Sequence, residues 1–224
     1  MHCIVEAVNE SRLLKKDLFG EVWRESTPTG AVIRRDTHLA RWWLRWLANA
    51  LMRREARALL ALEGLGNVPE VLAAGKNELT RSFIDGVPMH VGKPTDKQYF
   101  TSAARLLRNL HRRGVVHNDL AKEPNLLVRG DGSAAFIDFQ LAWHAPRRGR
   151  MFRIAAREDI RHLLKHKRIY RPDALTQREI RILAQPSLLS RAYMASVKPV
   201  YLFVTRRLLD WSDREGAGDR GRQE

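Results

Sequence analysis

Three oxygen-bearing side chains concentrate the chemistry of this sequence. Asp119 and Asn125 lie in the run His117-Asn118-Asp119-Leu120-Ala121-Lys122-Glu123-Pro124-Asn125, and Asp138 lies in Phe136-Ile137-Asp138-Phe139. A hard cation such as magnesium takes one or two carboxylate or amide oxygens from a protein and completes its shell with water and phosphate oxygens. Asn125 and Asp138 are of the right type for that share. A further carboxylate close by, Asp119, can accept a proton from an attacking hydroxyl. Singly, each of these residues is equally at home in a turn, where Asx side chains bond their own backbone. Order and spacing are what single them out.

The surrounding residues supply elements to hold them together. Leu126-Leu127-Val128 and Ala134-Ala135-Phe136-Ile137 are short apolar runs that read as strands. Asp131-Gly132 between them predicts a two-residue hairpin turn. A hairpin there returns Asp138 to the side of Asn125, so both can meet one cation. Upstream, residues 96–113 place Ala103, Leu106, Leu107 and Leu110 at a helical period. Downstream, Arg157-Glu158-Asp159-Ile160-Arg161-His162-Leu163-Leu164 predicts another helix, with Asp159 at its start.

The segment Leu110-His111-Arg112-Arg113-Gly114-Val115-Val116-His117-Asn118-Asp119-Leu120 resembles the catalytic-loop approach of protein-kinase-like phosphotransferases. Asp138-Phe139 resembles the start of their metal-binding Asp-Phe-Gly motif. The thirteen residues from Asn125 to Asp138 match that family's spacing. The resemblance is nearest to compact branches: RIO-type kinases, bacterial lipopolysaccharide-core sugar kinases and small serine/threonine-kinase-like phosphotransferases. It implies an α+β, bilobal protein-kinase-like fold in one domain. A small β-rich N-lobe with a long helix covers residues 1–83, a reduced helical C-lobe covers 84–211, and a polar tail starts at Ser212. ATP and Mg2+ are the implied cofactors, Asp119 the base, and Asn125 and Asp138 the metal ligands. Lys122 either touches the transferred phosphate or points to solvent.

The resemblance carries further residues. Residues 11–36 predict three strands, the nucleotide-covering ones of the family. Gly20 corresponds to the remaining glycine of the phosphate loop, although a lone glycine equally marks an ordinary hairpin. Arg34 or Arg35 stands where the family's strand ends in a phosphate-pairing lysine. Side chains alternate across a strand, so only one of the two can face a cleft. Arginine keeps the charge and changes the geometry. Glu55 corresponds to the acidic partner of that cation; a surface helix pair is the alternative. Phe83-Ile84-Asp85-Gly86 resembles the hinge, where backbone groups of Phe83 and Ile84 receive an adenine edge. Asp159 corresponds to an acid that braces the loop from below, unless it is only an N-terminal helix charge favoured by the dipole. His117 is expected to pack beneath the loop.

Departures from the family pattern are informative. Six residues separate Asp119 from Asn125, one more than is usual, so Lys122, Glu123 and Pro124 must bulge. Gln140 holds the place of the motif's glycine and removes backbone freedom there, which implies a loop fixed in one state. Asp138 and Asp159 are only twenty-one residues apart, with no Ala-Pro-Glu motif between them. That span is short for a peptide platform. The acceptor hydroxyl therefore belongs either to a protein serine or threonine or to a lipid-linked sugar. A nucleotide-binding pseudokinase is the alternative suggested by the arginine and glutamine substitutions.

Composition sets outer bounds. A chain of 224 residues suffices for one domain that buries roughly 70% of its unfolded surface. The single cysteine, Cys3, permits no internal disulfide and suits a reducing compartment. No apolar run of about 18 residues appears, and the N-terminal stretch, with Glu6 and Asn9, is not expected to act as a signal peptide. A cytoplasmic protein is expected, with peripheral contact at the inner membrane surface as an option. Net charge is +15, and arginine dominates the 40 basic residues. Arginine's planar fork suits phosphate, so anionic partners follow: a nucleotide, a phosphorylated glycolipid, an anionic membrane surface. Nucleic acid rests on charge alone, without a recognised motif, and is disfavoured.

From Thr37 to Leu62 there is neither proline nor glycine, which predicts a long helix or a bent pair. Within it, Arg41-Trp42-Trp43-Leu44-Arg45-Trp46-Leu47 interleaves tryptophan with arginine. These rings either pack against the strands under arginine stems, the commoner arrangement, or sit at a lipid headgroup interface. Residues 191–211 leave the same choice between a core helix and a surface anchor.

Overall fold

The computed structural model describes residues 11–28 and 30–185. The described residues begin with a meander of strands β1 (Ser11–Asp17), β2 (Gly20–Thr27) and β3 (Gly30–Asp36). Helix α1 (Arg45–Leu60) follows, then strands β4 (Val71–Ala74) and β5 (Glu78–Ser82). These five strands form one antiparallel sheet in the order β1-β2-β3-β5-β4. Gly20 closes the first hairpin with φ 119°, and a Cβ there would fall inside the carbonyl oxygen of Asp36. Only glycine lets that turn settle against the end of β3.

Next come β6 (Val87–Pro88), α2 (Met89–Gly92) and α3 (Lys97–Arg112). Asp96 caps α3, its Oδ1 accepting from the Gln98 N–H at 2.8 Å. The remaining elements are β7 (Val115–Val116), β8 (Leu126–Val128), β9 (Ala134–Phe136), β10 (Trp143–His144), α4 (Arg150–Tyr170) and α5 (Gln177–Ala184). Strands β6, β8 and β9 form a small antiparallel sheet, and β10 pairs with β7. The fold is mixed α and β with antiparallel strands, as an α+β chain requires.

The helical period of α3 delivers what it predicts. Ala103, Leu106, Leu107 and Leu110 are buried, with Tyr99 and Phe100 one to two turns earlier, against Leu59, Leu120, Leu126, Phe136 and Phe139. Each such apolar side chain contributes about 1.5–3 kcal/mol on full burial. This core lies directly beneath the 117–125 loop and fixes its base.

Four expectations are corrected. The β8–β9 connection is not a two-residue turn. Arg129 N–H donates to Ser133 O and Gly132 N–H to Arg129 O, both at 2.9 Å, with Gly132 at φ 75°. Asp131 Oδ1 accepts from the Ser133 N–H and hydroxyl at 2.9 and 2.6 Å, which favours this longer loop with a left-handed glycine. The long helix begins at Arg45, not Thr37. The Asp36 carboxylate takes the His38 N–H at 2.7 Å, and the Thr37 hydroxyl bonds Asn77 O at 2.8 Å and Asn49 Oδ1 at 2.6 Å. Such local bonds compete with helix. Asp159 sits mid-way along α4 rather than at its start. Trp42 and Trp46 do not pack on the strands but are exposed.

Residues 191–211, read as either a core helix or a surface anchor, the tail from Ser212 and the N-terminal stretch lie outside the described residues. Among the described residues, no helix is long and apolar enough to cross a membrane.

Candidate functional site

The loop from His117 to Asn125 connects β7 to β8, and α4 holds it from below. Asp159 Oδ2 accepts the His117 N–H at 2.7 Å and lies 3.2 Å from His111 Nε2, while its Oδ1 accepts the Asn118 N–H at 2.9 Å. His166 Nε2 bonds Leu120 O at 2.8 Å. Tyr170 donates to Glu123 Oε2 at 2.7 Å, and burial, with Glu123 beside it, pushes the phenol up to about 12. A carboxylate inside a helix has no dipole reason to be there; two backbone N–H partners on the loop and the His111 ring on α3 give Asp159 a bracing role.

His117 packs as expected. Its ring lies 4.6 Å from that of Phe139 and edge-on to Phe136 at 6.1 Å. Nε2 faces the Ile137 carbonyl at 3.0 Å, and a carbonyl can only accept, so that nitrogen carries the proton. Nδ1 accepts the Asp119 N–H at 3.3 Å. Burial lowers the imidazole pKa, which keeps this tautomer neutral. The ring thereby sets the backbone of Asp119 relative to the strand that leads to Asp138.

Asp119, Lys122 and Asn125 come together. Asn125 Nδ2 donates to Asp119 O and Oδ2, both at 2.9 Å. Two oxygen partners fix the amide's orientation, and its Oδ1 is the atom left for a cation. Lys122 Nζ lies 3.1 Å from the same Asp119 Oδ2, although most of the lysine is exposed. The extra residue of this loop is absorbed by one 3-10 turn over Glu123–Asn125. Ile137 N–H donates to Asn125 O at 3.0 Å, so Asp138 emerges one residue beyond the backbone of Asn125.

Asp138 adopts φ 62° and ψ 70°, a left-handed conformation strained for a non-glycine residue. Its Oδ1 is buried without a hydrogen-bond partner. A buried acceptor left unmade costs about 1–3 kcal/mol, and a cation would satisfy it. Asn125 and Asp138 thus fit a hard cation in donor type. Among the described residues no cluster of three His, Cys, Asp or Glu could hold a metal. The rest of a shell would come from water and ligand oxygens, the arrangement magnesium favours.

The second half of the site lies on the large sheet. In the β3–β5 register Ile33 faces Arg81 and Arg35 faces Leu79, which puts Arg35 and Arg81 on one face. Helix α1 presents Glu55, fully buried, to that face. Glu55 Oε2 lies 3.3 Å from Arg35 Nη1, and Glu55 Oε1 pairs with Arg81. Burial lowers the pKa of both guanidinium groups, with Asp138 acting in the opposite sense on each. Arg81 is pushed down to about 10, by burial first and by Arg35 second. Glu55 therefore sits buried between two guanidinium groups, and Asp138, half-buried, adds a second negative charge that acts on both.

Register decides between the two arginines. Arg35 enters the cluster, whereas Arg34 turns to the other face and bonds Glu25 at 2.6 Å. Arg81 was not anticipated; alternation along Leu79-Thr80-Arg81 hints at its face, but only the pairing with β3 reveals its neighbours. Gly20 lies in the hairpin turn against the backbone of Asp36, the residue after Arg35, and its missing side chain is accounted for by the Asp36 carbonyl. Phe83 N–H donates to Ala31 O at 3.2 Å, and the Phe83 ring carries the Arg24 guanidinium at 4.3 Å. Its N–H thus belongs to the sheet, and a ligand edge at this crossing would be met by Ile84, which is half-buried.

The segment after Asp138 is held firmly. Arg54 Nε and Nη2 donate to Ala142 O and Leu141 O at 2.7 and 3.0 Å, and Asn118 Nδ2 donates to Leu141 O at 3.0 Å. Gln140 lies in the 3-10 turn Phe139–Leu141, which Phe139 anchors in the core. Helix α1 is thereby tied to both halves of the site.

No family model matches the chain. A protein of Streptomyces coelicolor described as "Probable SapB synthase" is 34% identical over 123 residues, which covers 44% of this chain and 13% of that protein. The chain therefore spans only a small part of that relative's length.

Proposed function

We propose that the chain is an ATP-dependent phosphotransferase with a bilobal, protein-kinase-like arrangement, moving the γ-phosphate to a hydroxyl acceptor. The observation that carries this reading is the convergence of the Asp119 carboxylate with Asn125, next to a strained Asp138 whose buried oxygen has no partner. A bond forms between the acceptor oxygen and the γ-phosphorus, the bond from the γ-phosphorus to the β-bridging oxygen breaks, and the acceptor proton passes to Asp119. Magnesium-bound ATP supplies the phosphoryl group and neutralises charge as it transfers. Asn125 and Asp138 hold the metal. Arg35, steadied by Glu55, holds the α- and β-phosphates, and Lys122, beside Asp119, is within reach of the transferred group. The similarity to a protein described as a synthase supports an enzyme without naming the reaction.

The acceptor is a protein serine or threonine or a lipid-linked sugar. The short span between Asp138 and Asp159 favours the sugar, because little chain is available to hold an extended peptide. A nucleotide-binding protein without turnover is the second reading, favoured by the arginine at the lysine position.

Magnesium-dependent ATP turnover by wild type and by Asp119→Ala tests both. The substitution slows turnover by about 10²–10⁴ while nucleotide still binds. Equal turnover in the two proteins removes Asp119 from the mechanism, and nucleotide binding without turnover in wild type selects the second reading. Labelled ATP offered with membrane extract or with soluble protein separates the acceptors.

A further inference from the structure

The turn between β3 and α1 presents its largest apolar side chains to solvent. Trp42 is 83% exposed, Trp46 70% and Leu39 63%, with Trp43 beside them also exposed. Nothing loose in the backbone explains this. Ala40 N–H donates to Thr37 O at 3.1 Å, Leu44 N–H to Arg41 O at 2.8 Å, and the Arg45 guanidinium to His38 O at 3.0 Å. Ala40 and Thr37 are buried and anchor the turn. The indoles are thus displayed on a fixed scaffold rather than left over from poor packing.

Basic side chains dominate the charge around them. Arg41 and Arg45 are exposed and flank Trp42 and Trp43, and residues 37–54 contain no aspartate or glutamate. The solvent stripe of α1 continues from Trp46 through Ala50 to Arg53 and Arg57, all exposed. Of the neighbouring acids, exposed Glu78 lies opposite Asp36 and within the field of Arg34, and the others are paired. Asp36 is near Arg34 at 3.7 Å and binds the His38 N–H, Asp17 pairs with Lys15 at 3.2 Å, and Glu21 with Lys16 at 2.9 Å.

We propose that this tryptophan–arginine turn docks on an anionic lipid bilayer. Indole rings favour the headgroup boundary, where the apolar body is buried and the N–H stays wet. Guanidinium groups bond lipid phosphates, and each basic residue near an anionic surface adds attraction. Projecting rings on a convex turn suit a deformable bilayer. Arg41 N–H donates to Leu18 O at 3.3 Å, so the docked surface adjoins the β1–β2 turn. The proposal rests on the surface alone and stands or falls independently of phosphotransfer.

Co-sedimentation of the full chain with vesicles of phosphatidylcholine containing phosphatidylglycerol, and of phosphatidylcholine alone, tests it. Wild type pellets with the anionic vesicles and much less with the neutral ones. W42A/W46A lowers the partition coefficient about tenfold or more, and R41Q/R45Q lowers it about fivefold per arginine. Trp42 and Trp46 are exposed, so thermal unfolding of W42A/W46A matches wild type, whereas R41Q/R45Q also loses the Arg45 bond to His38 O and R41Q alone serves as the control that keeps it. Independently of any variant, lipids brominated near the headgroup quench wild-type tryptophan emission. Absence of binding, equal binding to neutral vesicles, or undiminished binding by W42A/W46A overturns the proposal. So does a finding that these substitutions abolish binding to single- or double-stranded nucleic acid while vesicle binding persists.

Discussion

Glu55→Gln is the substitution that most directly probes the buried charge cluster. In the wild type, Arg35 and Arg81 are balanced by Glu55 and Asp138, and Glu55 touches both guanidinium groups from full burial. Glutamine keeps the shape, so no cavity opens, but one net positive charge stays behind in a dry site. Removing one partner of a buried pair costs about 3–5 kcal/mol, and a carboxylate serving two cations belongs at the upper end. For a chain of this size about 2–4 °C accompany each kcal/mol, so the melting temperature falls by roughly 6–20 °C. Urea unfolding followed by tryptophan emission gives the free energy directly. The double variant E55Q/R81M removes the surplus charge and leaves Arg35 against Asp138, and it is expected to be more stable than E55Q alone. A loss below about 1 kcal/mol for E55Q would mean the pair is screened like a surface bridge. Additive losses in the double variant would mean that Glu55 and Arg81 are not coupled. Either result refutes the charge-balance argument.

Two further expectations concern the scaffold. Gly20→Ala forces a Cβ into the Asp36 carbonyl at a positive φ and costs more than about 1 kcal/mol, whereas Gly130→Ala, with open space around it, is close to neutral; the urea midpoints of the two variants decide. His117 is held neutral by burial below its ordinary 6.5, so the unfolded chain takes up the proton first. Its contribution is complete above about pH 6.5 and declines towards the lower folded value, by at most about 1.4 kcal/mol per pH unit. H117N is less stable near neutrality yet shows a shallower decline between about pH 7 and 5. The decline that persists reports His162, whose pKa burial also lowers. An unchanged slope would place the acid sensitivity elsewhere.

Residue order alone was enough to read groups that are close in chain and the faces of single elements. Asp119, Asn125 and Asp138 were legible because one short hairpin links them, and hairpin pairing is local. The buried face of α3 was legible because its apolar residues repeat at the helical period. What stayed illegible depends on which elements meet. Arg34 and Arg35 are equivalent until the register of β3 against β5 is known, and that register alone brings Arg81 to Glu55. Asp159 looked like a helix-start charge because the true start of α4, seven residues upstream of Arg157, lacks a capping signal. The tryptophans read as core because large apolar side chains usually are. Tertiary structure turned them outward, since the bonds of Asp36 and Thr37 hold their turn away from the helix that the absence of proline and glycine would have extended. Local pattern encodes orientation within an element; long-range pairing decides which charges and rings become neighbours.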